Sequence, residues 1–565
     1  MSKFNLLTEP WIMVMNADDN NMETISMLDL FKNAHKYSRL AGDTKTQDFA
    51  VFRVLLAVLH TVFSRFDENG IPYEFLDLDD KFKPIDDVDE NYIDDYDESM
   101  WNTWFALWDK GFFPEIVGEY LLKWQDSFYL FDDKKPFFQV TAEDIVYPKI
   151  NKENPTTFSG KNMNRLISES GNKISMFSPK FENNKSLLTA PEIARWLIML
   201  QSYIGLSDKV IFGEGRYKAS KGWLFDIGGL SVQVDNLFKT LLINFVASHS
   251  EEQYKAKTQR PCWEYSSEEN IDFLMRKQPI DNLAQLYTNW ARAIYIDPKT
   301  DVSAPFSCNI VKLPEINHQN FFLEPMTLWR YNKTGDNRET YTPMKHKPMR
   351  AVWRSFGLIT LPNSDEKQQR KPELLEWLTL IKNAVENADL SLMAVGMADD
   401  GNATSWVPVD QTCDILRINN FVLTDTDKDG WVIRINDAVD NTKYVVDVIY
   451  RRFISDVKEI RNIESKDFVN NEVEKLYSRI DMPFRIWLSS LDTGVQKNKA
   501  VFSWYEQLYR LAFDQASDFV SEAGARDYTG IEKKDRILNI ATVFNSFEYF
   551  LKKKLNYKGG KNAKQ

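Results

Sequence analysis

The pattern of apolar and polar positions predicts helices towards both ends of the chain. Asp48 to Arg65 carries apolar residues at helical spacing, which is typical of a buried helix. Further along, Thr189 is a candidate N-cap, followed by Pro191 in the first turn and by Glu192, and the apolar residues behind them share one helix face. From about residue 435 onwards, four long amphipathic stretches joined by short polar links predict an up-down helical bundle.

Shorter apolar runs bounded by turn residues predict strands between these helices. In Phe128 to Val140 a DDKKP turn leads into a PFFQV run, which predicts a hairpin with a packed strand. Leu390 to Pro408 runs from an apolar strand into the turn signal DDGN. The DKDG turn within residues 421–436 has the spacing of a calcium-binding EF-hand loop. However, Asn436 stands where the final Glu belongs and β-like runs flank the loop, so we predict a β-hairpin there.

The length and net charge of the chain limit the kinds of protein that it can be. The chain has 565 residues and a mass of 66.0 kDa, enough for two or more hydrophobic cores, and 43% of its residues are hydrophobic. Its net charge of −12 argues against a free-standing nucleic-acid-binding protein, which is usually basic. Much of the acid lies in Asp77 to Glu98, where we expect a solvated loop, with partner docking or DNA mimicry as the alternatives.

Cysteine use and hydropathy indicate a cytoplasmic protein with no membrane partner. The three cysteines lie far apart and form no CxxC pair, which excludes a disulfide framework and disfavours a zinc ribbon. The N-terminus lacks the apolar core and cleavage site of a signal peptide. No apolar run approaches the ~20 residues that a membrane span needs.

The segment Gly205 to Gly229 is a candidate for close approach to a ligand, because it is rich in glycine. It lacks the strand-then-helix context of a dinucleotide fold and the GK[ST] ending of a P-loop, so it does not predict a nucleotide site. Glycine lets the backbone come close to a ligand. Arg216, Lys218 and Lys221 supply positive charge for phosphate.

The segment Val311 to Lys333 combines aromatic and basic residues. Lys312 lies in a polar loop punctuated by proline, and a hydrophobic turn leads to the pair Trp329 and Arg330. Flat aromatic rings beside Arg and Lys suit base stacking and phosphate contact. The alternative is a surface loop that leads into a buried strand.

Several runs in this order resemble one known family. LEPMTLWRYNK (residues 323–333), MRAVWRSFGLI (349–359) and PFFQV (136–140) are similar to the large subunit of type I-E CRISPR surveillance complexes, the CasA family of Cascade. The resemblance follows nearly the whole chain. It implies an α+β fold, with a large mixed α/β N-terminal domain at 1–430 and a C-terminal four-helix bundle with a basic tail at 431–565.

The resemblance also implies which residues contact nucleic acid. Lys312 matches the lysine that the family inserts towards the protospacer-adjacent motif (PAM), with His318 and Gln319 as rivals. Asn402 stands where the family has a wedge hairpin, usually tipped with Gln. The implied PAM and DNA contacts are Lys312, Gly205, Gly213, Gly215, Arg216, Lys218, Asn402, Ala403 and Thr404. The implied contacts of a loop with guide RNA and target DNA are Lys173, Phe177 and Ser178.

The function implied by the resemblance is that of a non-catalytic subunit with no cofactor and no metal. Its partners would be the 5′ handle of a CRISPR guide RNA, double-stranded target DNA, the backbone and small Cascade subunits, and a helicase–nuclease. Two alternatives stay open: a structural scaffold of a ribonucleoprotein that does not recognise the PAM, and a metal-dependent nuclease that uses acids such as Asp399 and Asp400.

Overall fold

The chain forms two compact units. The structure is a computed structural model that describes residues 3–164, 180, 184–347, 350–361, 369–386, 388–402, 404–492, 494–533 and 536–557. The first unit comprises Met1–Met349, Ser364–Ala384 and Leu392–Ile415, and the second comprises Arg350–Asn363, Val385–Ser391 and Leu416–Gln565.

Helices dominate the second unit and alternate with strands in the first. The helices are α1 (Met27–Asn33), α2 (Lys45–Phe63), α3 (Ile93–Lys110), α4 (Ile116–Lys123), α5 (Gly160–Met163), α6 (Ala190–Ser202), α7 (Trp223–Asp226), α8 (Leu237–Asn244), α9 (Ser267–Met275), α10 (Leu283–Tyr287), α11 (Phe356–Thr360), α12 (Glu373–Leu380), α13 (Asn420–Thr424), α14 (Trp431–Tyr444), α15 (Arg451–Arg461), α16 (Phe468–Ser489), α17 (Lys497–Ser521), α18 (Ala525–Thr529) and α19 (Ile540–Leu555).

The strands form small sheets of two or three strands. They are β1 (Ile12–Asn16), β2 (Met22–Ile25), β3 (Tyr37–Leu40), β4 (Thr156–Ser159), β5 (Gly229–Gln233), β6 (Arg292–Tyr295), β7 (Ser307–Lys312), β8 (Trp329–Tyr331), β9 (Tyr341–Pro343), β10 (Gln369–Arg370), β11 (Asp389–Asp399), β12 (Pro408–Asn419), β13 (Ile531–Lys533) and β14 (Arg536–Leu538). The three-stranded sheets have the orders β2-β1-β3, β10-β8-β9, β12-β11-β5 and β4-β7-β6, and β13 pairs with β14. The mixture confirms the predicted α+β class.

The core of the first unit is built around α2. The Thr44 side chain caps the helix by accepting from the Gln47 amide, and nearly all of the helix is buried. By length and composition α2 is long and apolar enough to cross a membrane, so the expectation that no apolar run approaches that length is wrong. The apolar window of α2 is nevertheless entirely buried within the protein. A helix surrounded on every side by its own chain belongs to a globular core.

The α6 helix begins where its sequence predicts. The Thr189 hydroxyl accepts from the Glu192 amide, and the Glu192 carboxylate accepts from the Thr189 amide, which completes a capping box. Gln201, near the other end of the helix, is fully buried. Its side chain accepts from the amides of Ala291 and Arg292, which fixes β6 against α6.

The second unit contains the four long helices that the sequence predicts. The first runs without a break through α14, a π-helical stretch at Val445–Tyr450 and α15, and the others are α16, α17 and α19. Aromatic rings fill their shared interior. Trp504 packs at 5.0 Å on Phe484, and its indole N–H donates to the Thr442 hydroxyl at 3.0 Å.

Two predicted hairpins are wrong. In residues 128–140 the only pairing is a pair of isolated bridges at Tyr129, because Phe138 has a φ of +56°, which breaks a strand. The DKDG turn connects α13 to α14, so helices stand where both strands of this hairpin were predicted. The Asp425 carboxylate accepts from the Trp431 amide at 2.9 Å, and the buried residues Trp431, Val432 and Ile435 follow helical spacing.

Candidate nucleic-acid interface

Lys312 ends β7, the middle strand of its sheet. It pairs in register with Arg292 of β6. The half-buried side chain extends back to the glycine-rich segment, where its Nζ donates to the Leu206 carbonyl at 3.1 Å. Burial lowers the pKa of Lys312, the Arg292 charge acts in the same direction, and the Asp208 carboxylate opposes both. The strand therefore delivers one ammonium group to the start of the glycine-rich segment.

Gly205 lies where no side chain fits. Its φ is +79°, and a Cβ built on it would come within 2.4 Å of the Trp406 carbonyl oxygen. Its own carbonyl accepts from the Arg292 guanidinium at 2.6 Å, and that guanidinium also pairs with Asp208 at 2.8 Å. In the free protein Gly205 is therefore a packing position for the loop that contains Trp406.

The two other candidate glycines follow Ile211 and Phe212, which pair with the backbone of Lys312. The Phe212 amide donates to the Lys312 carbonyl at 3.0 Å, and the Gly213 amide donates to the Lys149 carbonyl at 2.7 Å. Gly215 is exposed, with nothing within 4 Å of a built Cβ. Of the three glycines, Gly215 offers an open backbone.

The cations of this segment differ in their availability. Arg216 is exposed. Lys218 is also exposed, and its ammonium pairs with Glu315. Lys221 is mostly covered, and its ammonium pairs with Asp226 at 2.6 Å. This ammonium is therefore not free to bind phosphate, although its sequence position had suggested that role.

Asn402 is exposed at the tip of the β11–β12 hairpin, as the turn signal predicts. Its side-chain oxygen accepts from the Thr404 amide at 3.0 Å, and its carbonyl accepts from the Trp406 amide at 2.8 Å. The Asp400 carboxylate accepts from the amides of Asn402 and Val407, at 3.1 and 3.2 Å. These bonds hold the turn within the hairpin, and none of them uses the Asn402 NH₂ group.

The other predicted contact residues are described only in part. Thr404 is exposed, whereas Ala403 lies outside the described residues. Lys173, Phe177 and Ser178, the candidates for contact with guide RNA and target DNA, also lie outside them.

Leu206 connects the predicted DNA-contacting elements. Its amide donates to the Ser405 carbonyl at 2.6 Å, and its carbonyl accepts from Lys312 at 3.1 Å. The structure therefore brings Lys312, Gly205 and the hairpin tip together. These residues are distant in sequence, and nothing in the local pattern around Leu206 indicates this junction.

The two rivals of Lys312 have other partners. His318 stacks on Trp223 with ring centroids 4.8 Å apart, and it is largely covered. Burial lowers its pKa, and Asp226 opposes that shift. Gln319 is exposed and donates to the Asn337 side chain at 2.8 Å. His318 therefore contacts the far end of the glycine-rich segment, at Trp223 and Asp226, whereas Gln319 has no hydrogen bond to that segment in the described part of the chain.

The run from Leu323 to Trp329 belongs to the core. Glu324 is buried and accepts from both terminal nitrogens of Arg53, at 2.8 and 2.7 Å, and from the Trp223 indole at 2.6 Å. Trp329 is buried against Phe322 at 5.2 Å, so it is no platform for a base. The alternative of a loop leading into a buried strand describes this segment correctly.

A cluster of lysines on aromatic rings beside the hairpin was not singled out from the sequence. The Lys345 ammonium lies 4.0 Å from the centre of the Phe225 ring and 3.0 Å from the Asp399 carboxylate. The Lys221 ammonium lies 4.7 Å from the centre of the Trp406 ring. In the sequence Lys221 stood out only as a charge for phosphate and Lys345 did not stand out, because cation–π pairs between distant segments leave no local pattern.

Comparison with known proteins identifies relatives of this chain. The family model described as CRISPR-associated protein Cse1 matches residues 5–515. A CasA/Cse1 protein of Thermus thermophilus is 27% identical over 378 residues, which cover 65% of this chain and 62% of the relative's length. Thermobifida fusca Cse1 has the same fold, with a TM-score of 0.79 and 23% identity over 98% of both chains.

A second solved structure, of a CRISPR RNA-guided surveillance complex, contains a chain that is similar to this one with a TM-score of 0.67 and 15% identity. The alignment covers 97% of this chain and 99% of that one. At this identity the similarity shows the shared fold. Because the family model matches most of the chain, the protein belongs to the CRISPR-associated protein Cse1 family, the CasA family that its motifs predict.

Proposed function

We propose that this protein is the non-catalytic large subunit of a type I-E CRISPR RNA-guided DNA surveillance complex of the cytoplasm. In it the protein recognises the PAM in double-stranded DNA, helps to open the duplex and recruits the helicase–nuclease. The observation that carries the proposal is the junction at Leu206, where Lys312 and the exposed Asn402 hairpin meet one backbone segment.

The chemistry of these groups suits the minor groove. The groove is narrow and presents a largely degenerate pattern of acceptors, so recognition there depends on donors, shape and close backbone approach. Lys312 supplies a donor and a positive charge, and the open backbone at Gly215 permits close approach. Asn402, at the hairpin tip, would enter between base pairs, where unstacking costs a few kcal/mol.

Guide RNA would then take over sequence recognition. Exchange of a DNA duplex for an RNA–DNA duplex is close to balanced in Cas9-type systems, so modest protein contributions at the first base pairs decide whether opening begins. We extend that logic to this protein. Contact with the guide RNA handle and target strand is assigned to Lys173, Phe177 and Ser178 on the resemblance alone.

A metal-dependent nuclease is the weaker alternative. Asp399 forms an ion pair with Lys345, and Asp400 accepts backbone amides of its own turn. Residues with these partners are poorly placed to bind a metal. In the described part of the chain, no three His, Cys, Asp or Glu residues are grouped closely enough to hold one.

The test is duplex binding by the reconstituted guide-RNA complex to targets with preferred and altered flanks. Lys312→Met removes the ammonium and keeps the side-chain stem, and Asn402→Ala removes the tip amide. We expect each to reduce discrimination between flanks by about 1–3 kcal/mol. Lys299→Ala is the matched control, because this exposed lysine lies beyond the other end of β7.

Wild-type binding that ignores the flank would leave the scaffold alternative in place. Unchanged discrimination in both variants would show that Lys312 and Asn402 do not take part in recognition of the flank. Divalent-dependent cleavage by the isolated protein would instead support the nuclease.

A further inference from the structure

We propose that Lys221 and Lys345 are positioning residues that hold the wedge hairpin against the glycine segment, through Trp406 and Asp399, in the orientation that presents Asn402 to DNA. The proposal rests on the proposed function of the hairpin. It assigns to these two lysines a role through protein contacts, distinct from direct contact with phosphate.

Lys221 bridges the two elements by itself. Its carbonyl accepts from the amides of Ile204 and Gly205, at 2.9 and 3.3 Å, which shapes the glycine turn. Its ammonium lies over the Trp406 ring at 4.7 Å and pairs with Asp226 at 2.6 Å. Trp406 has a φ of +45°, a conformation that a bulky residue holds only when its surroundings impose it.

Lys345 holds the base of the same hairpin. Its ammonium pairs with Asp399, the last residue of β11, at 3.0 Å and lies 4.0 Å from the centre of the Phe225 ring. Its backbone neighbours are fixed on both sides. The Met344 amide donates to Leu328 at 2.9 Å, and the His346 ring bonds to the Gly229 carbonyl at 2.9 Å.

These contacts leave the lysines unsuited to phosphate binding. Each ammonium already has a carboxylate and an aromatic face, and the side chains of Lys221 and Lys345 are only 15% and 30% exposed. An ammonium group held in this way fixes the positions of its carboxylate and its ring, and it would have to break these contacts to bind phosphate. Substitution should therefore act on DNA through the position of Asn402.

The first test needs no DNA. Hydrogen exchange of the Leu206 amide, which donates to the Ser405 carbonyl, reports the junction, and exchange of the Trp406 and Val407 amides reports the turn at the hairpin tip. We expect Lys345→Gln to accelerate this exchange about tenfold, as loss of one charge-assisted bond predicts. Lys345→Arg, which keeps the charge, should restore protection. Lys239→Gln is the control, because it removes another lysine with an ion pair and a nearby tryptophan ring. Unchanged exchange in Lys345→Gln would overturn the proposal.

The second test measures binding of the reconstituted complex to duplexes with the preferred flank. We expect Lys345→Gln and Lys221→Gln to weaken binding about tenfold in the wild-type background, and to have little effect when Asn402 is already Ala. The dependence of affinity on salt should keep its slope. A slope lower by about one, with effects that add to Asn402→Ala, would identify phosphate contacts and overturn the positioning role.

The two tests separate the proposals. If the wild-type complex ignores the flank but hydrogen exchange responds to Lys345, the proposed function fails and the structural bridge stands. If the flank is recognised but Lys345→Gln changes neither exchange nor binding, only the positioning role fails.

Discussion

Gly205 and Gly215 lie ten positions apart in one segment and meet different surroundings. Gly205 combines a left-handed backbone with a neighbouring carbonyl at 2.4 Å from a built Cβ, whereas Gly215 faces open space. An added methyl group at Gly205 must displace the Trp406 backbone, and L residues are strained at this φ. The same chemical change therefore has unequal consequences at the two sites.

We expect Gly205→Ala to destabilise the protein by about 1–3 kcal/mol in denaturant unfolding and to expose the hairpin tip to proteolysis. Gly215→Ala is the matched control, expected within ~0.5 kcal/mol of wild type. Equal stability of the two variants would contradict the packing role of Gly205.

His60 is a second residue whose surroundings decide its behaviour. It lies buried in α2, with the Phe245 ring 4.6 Å away. Burial lowers its pKa to about 3, and the charges of Arg53 and His249 act in the same direction. His60 therefore stays neutral in the folded protein at pH values where the unfolded chain accepts a proton. This is the behaviour of a core residue.

The sign of the pH effect follows. Below the ordinary pKa of 6.5, His60 binds a proton in the unfolded state but not in the folded state. The free energy of unfolding therefore falls as the pH drops from 6.5 towards 3. The His60 contribution is at most ~1.4 kcal/mol per pH unit. In urea unfolding, His60→Leu should reduce the loss of stability between pH 6.5 and 3. His35→Gln, at an exposed histidine, is the control. An unchanged loss of stability in His60→Leu would contradict this account.

At the scale of elements, the LEPMTLW run is attached to α2 by a buried ion pair. Arg53 and Glu324 form two parallel hydrogen bonds, and the Arg53 guanidinium also lies 3.9 Å from the centre of the Tyr287 ring. Both charges are almost fully buried. Such a pair fixes the position of a segment because either charge alone is costly to bury.

We expect Arg53→Met or Glu324→Leu alone to destabilise the protein by about 3–5 kcal/mol, and the double substitution to recover much of that loss. Thermal or denaturant unfolding measures both. Arg276→Ala, which breaks an exposed pair with Asp272, should change stability by less than ~1 kcal/mol. Additive losses in the double variant would mean that the pair is not the source of the effect.

Elements with strong local signals were predictable from the sequence. The capping box of α6, the apolar period of α2 and the turn at Asn402 are local in sequence, and each lies where expected. The prediction for the DKDG segment was wrong because WVIRIN alternates enough to resemble a strand, whereas in the structure it is helical and the Asp425 carboxylate accepts from its first amide. The junction at Leu206 could not be predicted from the sequence, because it joins segments that are distant along the chain.

At the scale of the whole molecule, the two compact units are not continuous in sequence. Residues 350–363 belong with the helices of the second unit, where Trp353 stacks on Phe484 at 4.3 Å and donates to Asp481 at 2.7 Å. Hydrophobic periodicity cannot assign such a segment to a distant bundle. The division at residue 430 stays a prediction.

The net charge of −12 limits what the isolated protein can do with DNA. Phosphate contacts supply most non-specific affinity, and an acidic surface repels the duplex. We therefore expect the isolated protein to bind duplex DNA weakly at physiological salt, in a fluorescence-anisotropy titration, and the complete complex to bind well. Tight, flank-independent binding by the protein alone would contradict this view.

The central claim is that this protein confers recognition of a short motif beside the target. The most direct measurement is binding of the reconstituted guide-RNA complex, with and without this protein, to a duplex library randomised next to the target, followed by sequencing of the bound fraction. We predict that a short flanking motif is enriched only when the protein is present, and that Asn402→Ala weakens the enrichment. Equal recovery of every flank in the presence of the wild-type protein would contradict the account.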